Sequence, residues 1–362
     1  MTWTKYDVKG KYIKLIQNSF VILFGLILTL VLIEICFQIL PVSDSTKTQD
    51  VNASDPYMRF EPTRDVYISI GKVFEIKAKK KTNKQGFFDD RDFNPKSTTK
   101  KVTLIGDSYL EALQVSNTEA IHGQLQLLLG SNWEVNGVGT SGSPLSQYVA
   151  YARYVRESLD PNVYVFVIVA NDFDESLLRY KKSPGHHYYD DELQLVRIDY
   201  KIDPLKSFLR SFATARYFAI NMKGYSVFRG RHLDIAEFTS NTLRTVDQEK
   251  IVWSKKAVEQ FLIDVSRITI EKEVILLFDG NRNAIYTDKP DSHTFSELMK
   301  NYLIDKSKTQ KNIRILDLQP IFEKSYITDG MRFEFEIDSH WNAHGHHVAA
   351  RELGALINRS GL

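Results

Sequence analysis

The sequence predicts an α/β fold in which one transmembrane helix precedes a doubly wound parallel sheet. Short runs rich in Val, Ile and Leu alternate with amphipathic segments over most of the chain. Such runs suit strands that are covered on both faces, and their alternation with helices is typical of doubly wound domains. A single long apolar run near the N-terminus predicts the transmembrane helix.

The apolar run extends from Leu15 to Leu40, and Glu34 is its only charged residue. A membrane-spanning helix needs about 20 apolar residues. A cleaved signal peptide is the alternative, but its apolar region would have about 7–15 residues and end at a small-residue cleavage site. Ile39-Leu40-Pro41-Val42 offers no such site, so we expect an uncleaved anchor over residues 15–40.

The charges before this anchor predict its orientation. One acid, Asp7, and four lysines precede it; the lysines are Lys5, Lys9, Lys11 and Lys14. Because positive residues stay in the cytoplasm, we expect residues 1–14 there, the anchor in the inner (plasma) membrane and the rest in a periplasmic or other extracytoplasmic space. The only cysteine, Cys36, lies within the anchor, so no disulfide is expected outside it. The net charge of +2 does not indicate a nucleic-acid partner.

Residues 41–81 are expected to form a linker and a small hairpin. Residues 41–56 are polar, which is typical of a linker. The alternating stretches 66–70 and 73–76 predict two strands joined around Gly71. The basic run over residues 77–84 is interpreted as a solvated face, with a membrane surface or an anionic glycan as the alternative contact.

Residues 82–362 are expected to form the main domain. Residues 177–250 interrupt its alternation of strands and helices and are interpreted as an insertion that could cover the site. The predicted strands are Val102–Ile105, Trp133–Val135, Tyr164–Val169, Val274–Phe278 and Ile313–Leu316. Predicted helices include Glu119–Leu129 and Ser146–Ser158. In sheets of this kind, ligands bind at the carboxyl ends of the strands.

Residues that could carry chemistry lie after these strand ends or before the last helix. They form four blocks: Gly106-Asp107-Ser108, Gly139-Thr140-Ser141-Gly142, Ala170-Asn171-Asp172 and Asp338-Ser339-His340-Trp341. In this order they supply a Ser, a Gly, an Asn and a His, which are the groups that nucleophilic acyl transfer needs. Each block alone has a structural explanation, but the ordered set is hard to obtain by chance.

The first three blocks each allow two interpretations. Ser108 follows a predicted buried strand and begins a helix, where N–H groups favour negative charge; alternatively it only caps that helix. Gly142 lies in a small-residue loop whose N–H groups could approach a ligand, or in an ordinary turn. The Asn171 amide could donate to an oxyanion, or cap a turn or a helix.

The fourth block pairs a histidine with a carboxylate. His340 precedes a helix that Asn342 could cap, and Asp338 could hold one ring nitrogen while the other acts as a base. The alternative is a metal site, but Gly345 and the lack of a His-Glu-x-x-His arrangement argue against it. The further histidines of that alternative are His344, His346 and His347. We expect no metal and no cofactor.

Over roughly residues 82–362, the four blocks resemble those of the SGNH/GDSL hydrolase superfamily. Asn83-Lys84-Gln85-Gly86-Phe87 also resembles a segment that often precedes the first block in bacterial members. The resemblance implies a flavodoxin-like sheet, with Ser108 as nucleophile and His340 as base. The implied oxyanion hole consists of the N–H groups of Ser108 and Gly142 and the side chain of Asn171.

One position departs from the family pattern. Most members place the Asp three residues before the His, and here that position is Ile337. Asp338 matches instead an Asp-x-His-Trp variant of polysaccharide O-acetyltransferase relatives. Asp338 is therefore the expected orienting carboxylate, and Glu336 is the second choice.

The sequence thus predicts an anchored, outward-facing enzyme that acts on an ester, as an O-acetyl esterase or O-acetyltransferase of a cell-surface polysaccharide. Its expected partners are an acylated carbohydrate or other ester and the membrane. The alternative is a binding or assembly protein of the cell envelope that keeps the fold without activity. The insertion residues expected to bind substrate are Lys181, Lys182, His186, Tyr188 and Tyr189.

Overall fold

A computed structural model of the chain describes residues 8–222, 248–287 and 294–359. Two predicted segments lie partly outside the described residues, namely the N-terminal segment at residues 1–7 and the insertion at residues 223–247. The helices are α1 (Val8–Ile39), α2 (Ser108–Glu111), α3 (Ile121–Leu129), α4 (Leu145–Ser158), α5 (Pro204–Leu209), α6 (Ala213–Arg216), α7 (Gln248–Ile268), α8 (Arg282–Thr287), α9 (Phe295–Ser307), α10 (Gln319–Asp329) and α11 (Ala343–Arg359). The strands are β1 (Asp65–Ile70), β2 (Ile76–Lys81), β3 (Lys100–Gly106), β4 (Trp133–Gly139), β5 (Val163–Ile168), β6 (His187–Tyr189), β7 (Leu195–Arg197), β8 (Glu273–Phe278), β9 (Ile313–Asp317), β10 (Glu334–Phe335) and β11 (Asp338–Trp341).

The central sheet is parallel, and its five strands lie in the order β4-β3-β5-β8-β9. Counted along the chain, this is the order 2-1-3-4-5 of flavodoxin-like sheets. The predicted fold class is therefore confirmed, as are all five predicted strands. The segment predicted as Trp133–Val135 continues to Gly139.

Both faces of this sheet are covered, which explains the continuous apolar runs in its central strands β5 and β8. Successive side chains of a strand point to opposite faces. On β5, Tyr164, Phe166 and Ile168 join the core formed with α4, α7 and α9. The intervening valines of β5 join the core formed with α3 and α11.

The ends of β3 and β4 approach each other closely. Gly106 and Gly139 are partners in the parallel register, and a Cβ atom added to Gly139 would lie 2.7 Å from the carbonyl oxygen of Gly106. Only glycine at position 139 permits this approach without displacement of the backbone. The loops that follow the two strands, with Ser108 and Gly142, therefore start side by side.

The small hairpin has a different second strand from the one predicted. β1 pairs with β2, so the strand predicted over residues 73–76 is wrong and most of β2 lies in the basic run. Alternate lysines of β2 are exposed, but Lys80 is buried and donates to the carbonyls of Ala112 and Val115 at 2.9 and 3.1 Å. Burial lowers the pKa of Lys80 to about 7. The basic run is therefore only half solvated.

Residues 41–56 do not behave as a free linker. Ser43 and Val51 are fully buried. Asp44 exchanges hydrogen bonds with Tyr67 of β1, at 2.7 and 2.9 Å, and the Val51 N–H donates to the Tyr200 carbonyl at 2.9 Å. Residues 41–56 are held largely by backbone hydrogen bonds, which need no apolar side chains. An ordered segment of this kind can therefore have the polar composition of a linker.

The N-terminal helix α1 contains the predicted anchor. Within it, Tyr12–Ile39 is long and apolar enough to cross a membrane. By length and composition, this segment meets the requirement for a transmembrane helix.

Two leucines of α3 provide a matched test of the core. Leu125 is fully buried, whereas 70% of Leu127 is exposed. We expect Leu125→Ala to lower the free energy of unfolding by about 2–5 kcal/mol because it leaves a cavity. Leu127→Ala, in the same helix, should change it by less than about 0.5 kcal/mol. Urea denaturation of the full chain in detergent would measure both, and equal losses would contradict the described packing.

Candidate active site

Ser108 begins α2 directly after the end of β3. The cap of this helix is Asp107, whose Oδ1 accepts the Tyr109 N–H at 2.9 Å. The capping role considered for Ser108 is thus taken by its neighbour, and the Ser108 hydroxyl is available for other contacts. Because α2 has only four residues, its macrodipole is small, and the individual N–H groups matter more than the helix dipole.

Ser108, His340 and Asp338 form a chain of hydrogen bonds. The Ser108 Oγ lies 2.8 Å from the His340 Nε2, and the His340 Nδ1 lies 2.5 Å from the Asp338 Oδ1. The same carboxylate oxygen accepts the His340 backbone N–H at 2.9 Å. The spacing of two residues thus lets one carboxylate hold both the backbone and the ring. This geometry suits a general base that activates a serine hydroxyl.

Charge and burial oppose each other at this pair. Burial alone would lower the pKa of His340, but the hydrogen bond to Asp338 and its charge raise it above the ordinary value of 6.5. Burial alone would raise the pKa of Asp338, but the hydrogen bond with His340 lowers it. The pair therefore favours an ionised carboxylate beside a basic imidazole.

The second candidate carboxylate lies away from the ring. Glu336 is exposed in the turn between β10 and β11. Of the two acids considered from the sequence, the structure brings Asp338 to His340.

Gln114 is a site residue that the sequence did not indicate. Its Nε2 lies 3.1 Å from the Asp338 Oδ2 and 3.1 Å from the His340 Nδ1. The donation to Oδ2 fixes the carboxylate oxygen that the imidazole does not use. Gln114 lies in a loop after α2 and belongs to no motif, so only the folded structure identifies it.

Arg282 holds the two neighbours of His340 in place. It donates to both carboxylate oxygens of Asp279 at 2.6 Å, and to the Ser339 carbonyl and Tyr109 hydroxyl at 3.0 and 2.7 Å. The Trp341 indole N–H donates to the same Asp279 at 2.9 Å. Asp279 directly follows β8, so the signal that identified Asn171, a polar residue at a strand end, could have identified this cluster.

The loop after β4 presents Gly142 in a conformation that favours glycine, with a φ of +78°. The carboxylate of Glu111, in α2, accepts the Ser141 N–H and so ties this loop to the helix of Ser108. Within the described residues, neither the Ser108 N–H nor the Gly142 N–H has a hydrogen-bond partner. Both groups are therefore available to an oxyanion.

The turn after β5 presents Asn171. Asp172 closes this turn, since its Oδ2 accepts the Val169 N–H at 2.8 Å and the Tyr148 hydroxyl at 2.9 Å. The Asn171 Nδ2 donates to Glu175 at 2.8 Å. A side-chain amide has two N–H donors, so Glu175 orients the group and leaves one donor for a ligand. Glu175 is a second residue that the sequence analysis missed.

The insertion residues predicted to bind substrate are placed in three different ways. The Lys181 Nζ donates to the Gly142 carbonyl at 3.0 Å and pairs with Glu175, so it borders the site. Lys182 is exposed. The other three, His186, Tyr188 and Tyr189, are buried.

Burial argues against sugar contact by Tyr188 and Tyr189, whereas the role of His186 stays a prediction. The Tyr188 hydroxyl accepts the Ser183 N–H at 3.0 Å, and the Tyr189 hydroxyl donates to Asp264 at 3.1 Å. Tyr188 and Tyr189 lie in β6, whose side chains pack against the domain rather than facing solvent. Aromatic residues near a site are often part of its core.

The histidines after His340 have separate partners. His344 stacks on Phe333, the His346 Nδ1 accepts the Ile121 N–H at 3.2 Å, and His347 contacts Gln124 at 3.0 Å. In the described ranges, no group of three or more His, Cys, Asp or Glu side chains could hold a metal ion. The predicted cap of the last helix is confirmed, since the Asn342 side chain accepts the Gly345 N–H at 2.9 Å.

Comparisons with known proteins give matches to solved structures. No protein-family model matches the chain, and no curated protein matches it. A carbohydrate esterase family 2 enzyme with a carbohydrate-binding domain from Corynascus thermopiles matches with a TM-score of 0.39 and 15% identity, over 74% of this chain and 69% of that one. A carbohydrate acetylesterase family member from Sinorhizobium meliloti matches with a TM-score of 0.38 and 13% identity, over 73% and 100% of the two chains.

A third structure belongs to the lipolytic G-D-S-L family. It comes from Veillonella parvula and matches with a TM-score of 0.40 and 11% identity, over 72% of this chain and 100% of that one. At these TM-scores and identities, the similarities carry no conclusion about function. The chain is nevertheless similar to SGNH/GDSL hydrolases in the order of its four blocks, in its flavodoxin-like strand order and in the contact between Ser108 and His340.

Proposed function

We propose that this chain is a membrane-anchored, serine-dependent ester hydrolase or acyltransferase of the SGNH type. One observation carries the proposal. The Ser108 Oγ lies 2.8 Å from the His340 Nε2 while Asp338 holds the opposite ring nitrogen. A serine hydroxyl is a weak nucleophile, and a base in hydrogen-bond reach is what activates it.

In the proposed first step, the Ser108 Oγ attacks the carbonyl carbon of the ester. Its proton passes to the His340 Nε2, and Asp338 stabilises the resulting imidazolium. The tetrahedral intermediate collapses, the alcohol leaves with the proton from His340, and the acyl group remains on Ser108 as an ester.

In the second step, an acceptor hydroxyl attacks the acyl carbon while His340 removes its proton. The second tetrahedral intermediate then collapses, the bond between the acyl carbon and the Ser108 Oγ breaks, and His340 returns the proton to that oxygen. Water as acceptor gives hydrolysis, and a sugar hydroxyl gives transfer. Both reactions use the same acyl-enzyme, so the triad geometry supports either one.

The negative charge of both tetrahedral intermediates needs hydrogen-bond donors. The Ser108 and Gly142 N–H groups and the free N–H of the Asn171 amide are the proposed oxyanion hole. Loss of one such donor typically costs about 2.7–4 kcal/mol of transition-state stabilisation. Lys181 donates to the Gly142 carbonyl and pairs with Glu175, so it joins the loop of Gly142 to the residue that orients Asn171.

An O-acetyl group on a cell-surface polysaccharide is the proposed substrate. The Asp338-x-His340-Trp341 pattern resembles the variant of polysaccharide O-acetyltransferase relatives, and an outward-facing anchor would give access to such polymers. We propose residues 15–40 as the anchor, residues 82–362 as the catalytic domain and a periplasmic or other extracytoplasmic location for that domain.

A catalytically silent protein of the cell envelope remains the alternative function. Ser108→Ala separates the two, because it removes the nucleophile and leaves the surrounding packing in place. We expect turnover of an aryl acetate by the full chain to fall by about 10⁶-fold, towards background. The melting temperature should change little.

The matched control for this variant is Ser158→Ala. Ser158 is the last residue of α4. A helix that follows a parallel strand runs back across the sheet, so Ser158 lies near the N-terminal ends of the strands, whereas Ser108 lies at their carboxyl ends. Full activity is expected there. Activity retained in Ser108→Ala, or no activity in the unmodified protein, would contradict the proposed chemistry.

Asp338 and Glu336 give a second matched pair. Replacing the orienting carboxylate of a triad can lower kcat by about 10⁴-fold, so we expect a loss of this order in Asp338→Asn. Glu336→Gln should keep its activity because its side chain is exposed. The opposite ranking would mean that Glu336 orients His340 during turnover.

The pH profile of the same variants gives an independent readout. His340 must be neutral to act as a base, and its pKa lies above 6.5, so kcat/KM should rise with pH through a midpoint above that value. In Asp338→Asn, the interactions that raise this pKa are removed, and the midpoint should move to lower pH. An unchanged midpoint would argue against electrostatic coupling between the two residues.

The proposed orientation predicts a protease pattern. In intact cells with a permeabilised outer layer, protease should digest the catalytic domain and leave a short N-terminal fragment in the membrane. Immunodetection of tags at both termini would identify the fragment. Full protection of the chain would contradict the outward orientation, and a mature protein that begins near Ser43 would contradict the retained anchor.

A further inference from the structure

An exposed apolar surface lies on the segment around α5 and α6. Its side chains are between 39% and 66% exposed, which is unusual for large apolar residues that lie so close together in sequence. We call this set the apolar segment. It consists of Ile202, Leu205, Phe208, Leu209, Phe212 and Phe218.

The apolar segment is attached to the N-terminal helix. The carboxylate of Glu34, in α1, accepts the backbone N–H groups of Ala213 and Thr214 at 2.7 and 3.0 Å. One turn further along α1, the ring of Phe37 lies 4.6 Å from that of Tyr217 and 6.2 Å from that of Phe218. These contacts place the apolar segment beside residues 34–37 of α1.

The length of the anchor shows where the apolar segment would lie relative to a bilayer. An α-helix rises about 1.5 Å per residue, so the residues from Leu15 to Glu34 span about 30 Å, the thickness of the hydrocarbon core. Glu34 then lies at the outer edge of that core, and Phe37 lies in the interfacial layer. Aromatic rings such as those of Tyr217 and Phe218 are favoured at this level.

The charges of the segment fit the same environment. Lys201 and Lys206 are exposed, and Arg210 is partly exposed. Basic residues interleaved with Leu and Phe are typical of helices that lie in the plane of the membrane surface. Apolar side chains of α1 are also exposed, and α1 contacts Phe218 of the segment through Phe37, so a single bilayer would cover both.

We propose that the apolar segment inserts into the outer leaflet and that its occupant is the lipid surface itself. The inference requires that α1 cross the membrane but does not depend on the proposed catalytic activity. Its consequence is that the catalytic domain has a second membrane contact beside the anchor and cannot swing freely on it.

Contacts behind the segment transmit this restraint towards the site. The Asn221 carbonyl accepts the Gly71 N–H at 3.1 Å, and its side chain donates to Ser69. The side chain of Ile337 lies against Gly71, and Asp338 is the next residue. The membrane-facing segment and the hairpin of His340 are thus linked through β1, which sets the site at a fixed height above the bilayer.

Spin labels in proteoliposomes test the proposal on the full chain. The only cysteine is Cys36, so Cys36→Ser provides a background for single labels at Leu205→Cys and Phe208→Cys. Leu127→Cys, 70% exposed on α3, is the matched control outside the segment, and Leu26→Cys reports on α1. The measurement compares collision of each label with oxygen, which enters lipid, and with a water-soluble nickel complex.

We expect the labels at residues 205, 208 and 26 to collide more often with oxygen than with the nickel complex. The label at residue 127 should collide more often with the nickel complex. Labels at 205 and 208 that match the label at 127 while 26 reports lipid would overturn the proposal. A label at 26 that reports water would overturn it as well. An esterase assay on the unmodified full chain is kept separate, since absence of activity there together with lipid contact at residues 205 and 208 would contradict the proposed function alone.

Discussion

The hydrogen bond between the Ser108 Oγ and the His340 Nε2 joins two positions that are 232 residues apart, and the proposed chemistry depends on it. Its length is set by contacts between the neighbours of these residues. The Tyr109 hydroxyl donates to the Ser339 carbonyl at 3.1 Å, and Arg282 contacts both groups. The residue after Ser108 thus holds the residue before His340, so these two side chains need little further ordering.

Buried carboxylates hold the other parts of the site. Asp107 caps the helix of Ser108, Glu111 binds the loop before Gly142, and Asp172 closes the turn of Asn171. Burial raises the pKa of Asp107 to about 6. The pKa of Asp172 is raised well above its ordinary value, by burial first and by the charge of Asp107 second. Each acid accepts backbone N–H groups, which offsets part of the cost of removing it from water.

The sequence predicted those features that depend on local pattern. Runs rich in Val, Ile and Leu identified four of the five strands, whereas Trp133–Val135 showed the weakest pattern. Parallel strands place their carboxyl ends at one edge, so the blocks after β3, β4 and β5 had to lie near each other. Asn342 was recognisable as a cap because capping needs only a short-range contact.

Features that depend on tertiary contacts were not predictable in the same way. Gln114 and Glu175 act through partners that no spacing rule connects to them. Lys80 lies in a basic run yet is buried, because two carbonyls after α2 receive its ammonium group. Tyr188 and Tyr189 looked available to a sugar, but their ring faces pack in the core. In each case, the residue type was compatible with two environments, and the fold selected one.

The proposed acyl-enzyme is the central claim, and peptide mass spectrometry after a rapid acid quench tests it most directly. The full chain would be mixed with an aryl acetate and quenched during turnover, with Ser108→Ala treated in parallel. The account predicts an acetyl ester on the peptide that contains Ser108, and none on that peptide in the variant. Turnover without an adduct on Ser108, or with the acetyl group on a different side chain that the variant also acylates, would contradict it.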